Sequence, residues 1–267
     1  MCRFAVYLGK PRVMAEILSE PENSLIKQSK QAKEMVVTAA VNGDGFGVGW
    51  DNLELDEEPA LFKSIRPAWN DVNLDYLLPK IKSPCFFGHI RAAVHGGVST
   101  ANSHPFQYKH FMFMHNGTIG GFATIKRHMR HLLSDEMYDW IKGETDSEHI
   151  AALFLEKLKK EKDHNVSTLA KVLQEVFRII LSLQKEFGVD DELTVLNYVV
   201  TDGKRLVVTR FSNDDEHAST LYHALCQDDV LVVSEKLDDH LASWEEVPKN
   251  HILTVDVTGE LKIKEVL

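Results

Sequence analysis

A chain of 267 residues with three cysteines and a net charge of −10 excludes several classes at once. It is long enough to bury a core without staples, and Cys2, Cys85 and Cys226 form no CxxC pair, so neither a disulfide framework nor a zinc ribbon is expected. With 40 acidic residues against 30 basic ones, nucleic acid is not the expected partner, because phosphate neutralisation needs a basic face. No apolar run approaches the roughly 20 residues of a membrane helix, and with an apolar strand starting at Cys2 no targeting segment is expected. The expectation is a cytoplasmic, non-membrane protein forming one domain over 1–267.

Apolar patterning lays out the elements. A strand is expected over 2–8, where CRFAVYL runs almost continuously apolar. Short helices follow near 13–19 and 25–35, then strands over 45–50 and 60–65, a helix near 74–82, and strands over 85–93 and 111–115. After a helix near 122–133, the stretch ETDSEHIAALFLEKLKKE sets Ile150, Leu153, Phe154 and Leu158 on one helical face. A longer amphipathic helix after Ser167 carries Leu169, Val172, Leu173, Val176, Phe177, Ile180 and Leu183 on its stripe.

Strands return after Gly188. LTVLNYVVTDGKRLVVTRFS reads as a hairpin turned at Asp202-Gly203; STLYHALC, DVLVVSEKL and HILTVDVTGELKIKEV follow, the last turning at Thr258-Gly259. No linker or repeat divides the chain. Strands, two long helices and more strands imply two packed sheets covered by helices, a four-layer α+β arrangement.

Four stretches carry residue types suited to chemistry, and each also has an ordinary structural reading. VNGDGFGVGWD spaces glycines at 43, 45, 47 and 49, which is not a phosphate loop. Period-two glycine instead bares one strand face for a close approach. GHIRAAVHGG sets Arg91 at a strand end beside a glycine pair; it is either a surface ion-pair partner or a fixed fork for a carboxylate. FMFMHNGTI carries Asn116-Gly117, either a hairpin turn or an oxyanion hole made by an amide side chain and a backbone N–H. GETDSEHI spaces Thr145 and Glu148 as a capping box, with Asp146 favouring the helix start or holding an ammonium. His104, in ANSHPF, reads as part of a turn. Thirteen histidines show no HExxH or clustered Cys/His pattern, so no metal site is expected.

Their order adds what none has alone. Met-Cys, HIRAAVHG, NSHPF, HNGTI and TDSEHI, in this succession, resemble the glutaminase domain of class II glutamine amidotransferases, which are N-terminal-nucleophile (Ntn) hydrolases. The resemblance runs by motif from Cys2 to about Ala152. It implies an αββα sandwich of two mainly antiparallel sheets, with Met1 removed and Cys2 as nucleophile. It also implies that Arg91 takes an α-carboxylate, Asp146 an α-ammonium, Asn116 and Gly117 the oxyanion, and that His104 supports the site. The family's glutamine loop corresponds to 92–103. The freed α-amine, of unperturbed pKa about 7.7–8.0, would take the thiol proton, much as N-terminal threonine hydrolases do. No cofactor is implied.

Where the family commonly has an aromatic residue, an alanine and a threonine after the arginine, Ala92, Ala93 and Val94 stand here. A γ-glutamyl compound larger than free glutamine is therefore the expected small-molecule substrate. Over 267 residues a second, synthase domain is not expected. That likens it to stand-alone members such as the γ-glutamyl amide hydrolases of ergothioneine synthesis and glutathione breakdown. Two alternative functions stay open, a glutaminase subunit supplying ammonia to a separate synthase and a non-catalytic γ-glutamyl-binding protein of the same fold. The partner expected is a separate synthase or a second copy in a homodimer.

Overall fold

The computed structural model describes residues 2–34, 41–93, 96–214, 216–226, 229–238 and 243–267. β1 (Arg3–Val13) leads into α1 (Ala15–Leu18) and α2 (Leu25–Lys30); β2 (Phe46–Trp50) and β3 (Ala60–Ser64) precede α3 (Val72–Leu77) and β4 (Lys82–Ile90). After β5 (Phe106–Tyr108) and β6 (Phe111–Thr118) come α4 (Phe122–His131), α5 (Asp135–Trp140), α6 (Asp146–Leu158) and α7 (Val166–Glu186). The later strands are β7 (Val195–Thr201), β8 (Leu206–Arg210), β9 (Tyr222–Cys226), β10 (Asp229–Val233), β11 (Glu245–Glu246), β12 (His251–Val255) and β13 (Leu261–Glu265). They form two antiparallel sheets, ordered β11-β9-β10-β1-β4-β2-β3 and β13-β12-β8-β7-β6-β5.

Period-two alternation builds the layers. On β1, Phe4, Val6 and Leu8 pack between the sheets with Met112, Met114, Val199 and Val208. Ala5 and Tyr7 point the other way, onto Met14, Ile17, Leu18 and Leu25 of the first helical layer. On the far side, Phe113, Leu196, Tyr198 and Val200 pack against Ile150 and Phe154 of α6 and Leu173 and Phe177 of α7. Three apolar cores thus separate four layers, and the αββα architecture stands. A strand buried on both faces reads as a continuous apolar run, which is why β1 and β10 are conspicuous in the sequence.

The bare glycine face has its close approach. A Cβ at Gly47 would lie 2.0 Å from the His104 carbonyl oxygen, and one at Gly49 would lie 2.7 Å from Met112 Sδ. Three expectations need correction. The strand expected over 111–115 continues to Thr118, pairing Asn116 with Asn197 and Gly117 with Leu196, so Asn-Gly is not a turn. Thr145 does cap α6, accepting from Glu148 N at 3.2 Å, but Glu148 does not return the bond. Its carboxylate instead accepts from Lys142 N (2.9 Å) and Gly143 N (2.7 Å), fastening the loop before the helix. The helix expected over 25–35 ends at Lys30, and Met35 lies outside the described residues. No helix among the described residues is long and apolar enough to cross a membrane.

Candidate active site

The site forms where the N-terminal end of β1 meets the C-terminal end of β4. Arg3 pairs with Ile90 across these strands, so the residues on either side, Cys2 and Arg91, come together. Cys2 Sγ lies 3.4 Å from both the N–H and the carbonyl oxygen of Ala92. Burial pushes the thiol above its ordinary value, while the Ala92 backbone and the Arg91 charge pull it back. A thiol in this state needs a base to become a nucleophile.

Arg91 is buried, with Nη1 donating to Gly97 O (3.2 Å) and Nη2 to Gly96 O (3.3 Å). The expected glutamine loop thereby folds onto the guanidinium; its residues 94 and 95 lie outside the described residues. Asp44 closes the start of that loop, its Oδ2 accepting from Ala93 N at 2.8 Å.

Asp146 opens α6. Its Oδ2 accepts from Ile119 N at 2.9 Å and its Oδ1 from Ser147 N at 2.7 Å, with Ser147 Oγ 3.1 Å from Oδ1. The two amides leave room on the carboxylate for one more donor. His104 is buried against His89 (ring centroids 4.1 Å) and Phe106 (4.7 Å). Both its ring nitrogens lack a hydrogen-bond partner among the described residues. Burial, then the neighbouring His89 and His115, hold it well below the ordinary imidazole range, so the ring is neutral.

Cys2, Arg91, His104, Gly117 and Asp146 line one cavity of ≈ 30 Å³. Asn116, between the lining residues His115 and Gly117, does not itself line it. Fully buried, its Nδ2 is 3.5 Å from Ser234 Oγ, and its Oδ1 has no partner among the described residues. Ser234 Oγ also accepts from Phe4 N at 3.0 Å, so one hydroxyl joins Asn116 to the strand that carries Cys2.

Several residues of the site escape sequence reasoning. Arg3 donates from Nε to Glu235 Oε1 (3.0 Å), from Nη1 to Cys2 O (3.0 Å) and from Nη2 to Glu34 O (3.1 Å). Glu235 also accepts from Glu34 N, Lys33 N and Asn23 Nδ2. An arginine at the head of an apolar strand and a glutamate closing another were the available signals. Their pairing across 232 positions was not legible. His115 and Ser147, which also line the cavity, were hidden inside motifs read for their neighbours.

The chain matches the family described as glutamine amidotransferases class-II over residues 23–227. The probable glutamine amidotransferase DUG3 of Saccharomyces cerevisiae is 38% identical, covering 96% of this chain and 82% of that protein. The chain belongs to the class II glutamine amidotransferases. Another relative, the gamma-glutamyl-hercynylcysteine sulfoxide hydrolase of Mycolicibacterium smegmatis, is 26% identical over 96% of each chain. The solved class-II domain protein of Silicibacter pomeroyi superposes on this amidotransferase with a TM-score of 0.72, at 25% identity and 99% coverage of both chains. The phosphoribosylpyrophosphate amidotransferase of Bacillus subtilis shares the fold (TM-score 0.63, 15% identity), and this chain spans 49% of it. The molecule is accordingly an enzyme of hydrolase or amidotransferase type.

Proposed function

We propose that this class II amidotransferase hydrolyses a γ-glutamyl amide, with Cys2 as nucleophile. The observation that carries the reading is the convergence of Cys2, Arg91, His104, Gly117 and Asp146 on one cavity, from five separate stretches of chain. In this mechanism Met1, which lies outside the described residues, is removed and the Cys2 α-amine takes the thiol proton. The sulfur attacks the γ-carbonyl, and the developing oxyanion is met by Asn116 Nδ2 and the Gly117 N–H. The amine returns the proton to the leaving nitrogen, and water then hydrolyses the thioester to release glutamate. Arg91 takes the α-carboxylate of the γ-glutamyl group and Asp146 its α-ammonium. His104, neutral and enclosed, packs the floor of the site without competing for the carboxylate.

The test is glutamate release from a panel of γ-glutamyl compounds that includes free glutamine and glutathione. Ala92 lines the cavity where relatives commonly have an aromatic wall. A larger γ-glutamyl amide or peptide is therefore expected to give the highest kcat/KM. Highest kcat/KM for glutamine, with ammonia released, would transfer the protein to the glutaminase-subunit class. No glutamate from any compound would remove the catalytic reading.

Asn116→Ala is expected to lower kcat by about 10²–10³, the usual loss for one oxyanion donor. KM should stay nearly constant, because the charge on oxygen exists only near the transition state. Steady-state kinetics on the best substrate decide it: a loss confined to KM contradicts the oxyanion role.

A further inference from the structure

We infer that His115 is a positioning residue whose two ring nitrogens hold the two halves of the proposed site, a role resting on the function proposed above. Its Nε2 lies 3.0 Å from Val195 O. A carbonyl oxygen only accepts, so Nε2 carries the proton and donates. In the neutral ring Nδ1 is then an acceptor, and Ser147 Oγ, 3.0 Å away, donates to it.

Each nitrogen serves a different half. A Cβ built on Gly117 would lie 1.8 Å from Val195 O and 2.7 Å from His115 Nε2. The His115–Val195 bond therefore runs directly beneath the Gly117 backbone, and β7 is clamped to β6 next to the proposed oxyanion N–H. That bond is also why residue 117 has no room for a side chain. On the other side, Ser147 links His115 to Asp146 through its backbone, its N–H donating to Asp146 Oδ1 at 2.7 Å while its Oγ, turned to His115, stands 3.1 Å from the same oxygen. Tyr198 fixes the same residue from below, its hydroxyl donating to Ser147 O at 2.9 Å. The backbone of His115 is held as well, its carbonyl accepting from His89 Nε2 at 3.2 Å. One imidazole thus sets the distance between the group that meets the oxyanion and the group that meets the ammonium.

The two arms separate experimentally. In His115→Gln the amide nitrogen reaches the place of Nε2, keeping the donor to Val195 O and losing the acceptor for Ser147. In His115→Asn the amide oxygen takes the place of Nδ1, keeping the Ser147 arm and losing the Val195 arm. The Gln variant is expected to raise KM about tenfold with kcat within about twofold. The Asn variant should lower kcat about tenfold with KM within about twofold. A tenfold change corresponds to one hydrogen bond of typical worth. Ser147→Ala should reproduce the Gln variant, and it keeps the test open if either His115 variant fails to fold. Equal losses in kcat and KM for both variants, or kinetics like wild type for both, overturn the division of roles. Cys2→Ala is assayed alongside. If it keeps wild-type turnover, the proposed function fails and takes this inference with it. If it is silent while both His115 variants match wild type, this inference alone fails.

Discussion

Cys2→Ala is expected to abolish glutamate release while leaving thermal unfolding unchanged within a degree or so. The proposed reaction runs through the sulfur, and the remaining groups of the cavity hold substrate and oxyanion without attacking anything. Losing one sulfur from a half-buried position removes little packing, and the surrounding bonds of β1 are backbone ladder bonds that alanine keeps. Cys85 and Cys226 offer contrasting controls. Cys85 is buried in the core between the sheets, where burial raises its thiol well above the ordinary value, so it is inert. Cys226 ends β9, away from β1's N-terminal end. Alanine at Cys226 should leave turnover intact. Wild-type glutamate release from the Cys2→Ala protein would remove the N-terminal-nucleophile mechanism altogether.

Glu235→Ala should cost about 3–5 kcal/mol of stability, the range for breaking a buried ion pair from one side. The Glu235 carboxylate is fully buried and receives bonds from Arg3, Asn23, Lys33 and Glu34. Removing it strands the Arg3 guanidinium, itself 1% exposed, inside the protein. For a chain of this size that is a fall in Tm on the order of 10 °C. Activity should fall with it even at temperatures where the variant is folded, because Arg3 Nη1 holds the Cys2 carbonyl. Glu235→Gln keeps one acceptor oxygen and should lose less. Urea melts at neutral pH decide the point. A loss below about 1 kcal/mol for the alanine variant would mean that water or another carboxylate already serves Arg3.

Much of this was legible along the chain because it depends on neighbours. Continuous apolar runs named β1 and β10, because strands buried on both faces have to be apolar on both, and three-and-four spacing named the long stripe of α7. Thr145 ahead of an apolar helix announced the cap of α6, and with it the place of Asp146. Nearly all the expected site residues line the cavity because strand ends and helix starts are local events, and the motifs sit on them.

What the chain alone left open depended on which strand lies beside which. Asn116-Gly117 has the composition of a hairpin turn, and only pairing with Asn197 and Leu196 on β7 makes it strand. Glu148 has the spacing of a reciprocal cap, but the loop at 142–143 offers its amides first. Arg3 finds Glu235, and His115 finds Val195 and Ser147, across separations of 232, 80 and 32 residues. Local sequence determines which segments bury apolar faces and where they begin. Partners for buried polar groups are decided by tertiary structure, because a desolvated donor or acceptor must be satisfied by whatever the packed layers bring within 3 Å or so.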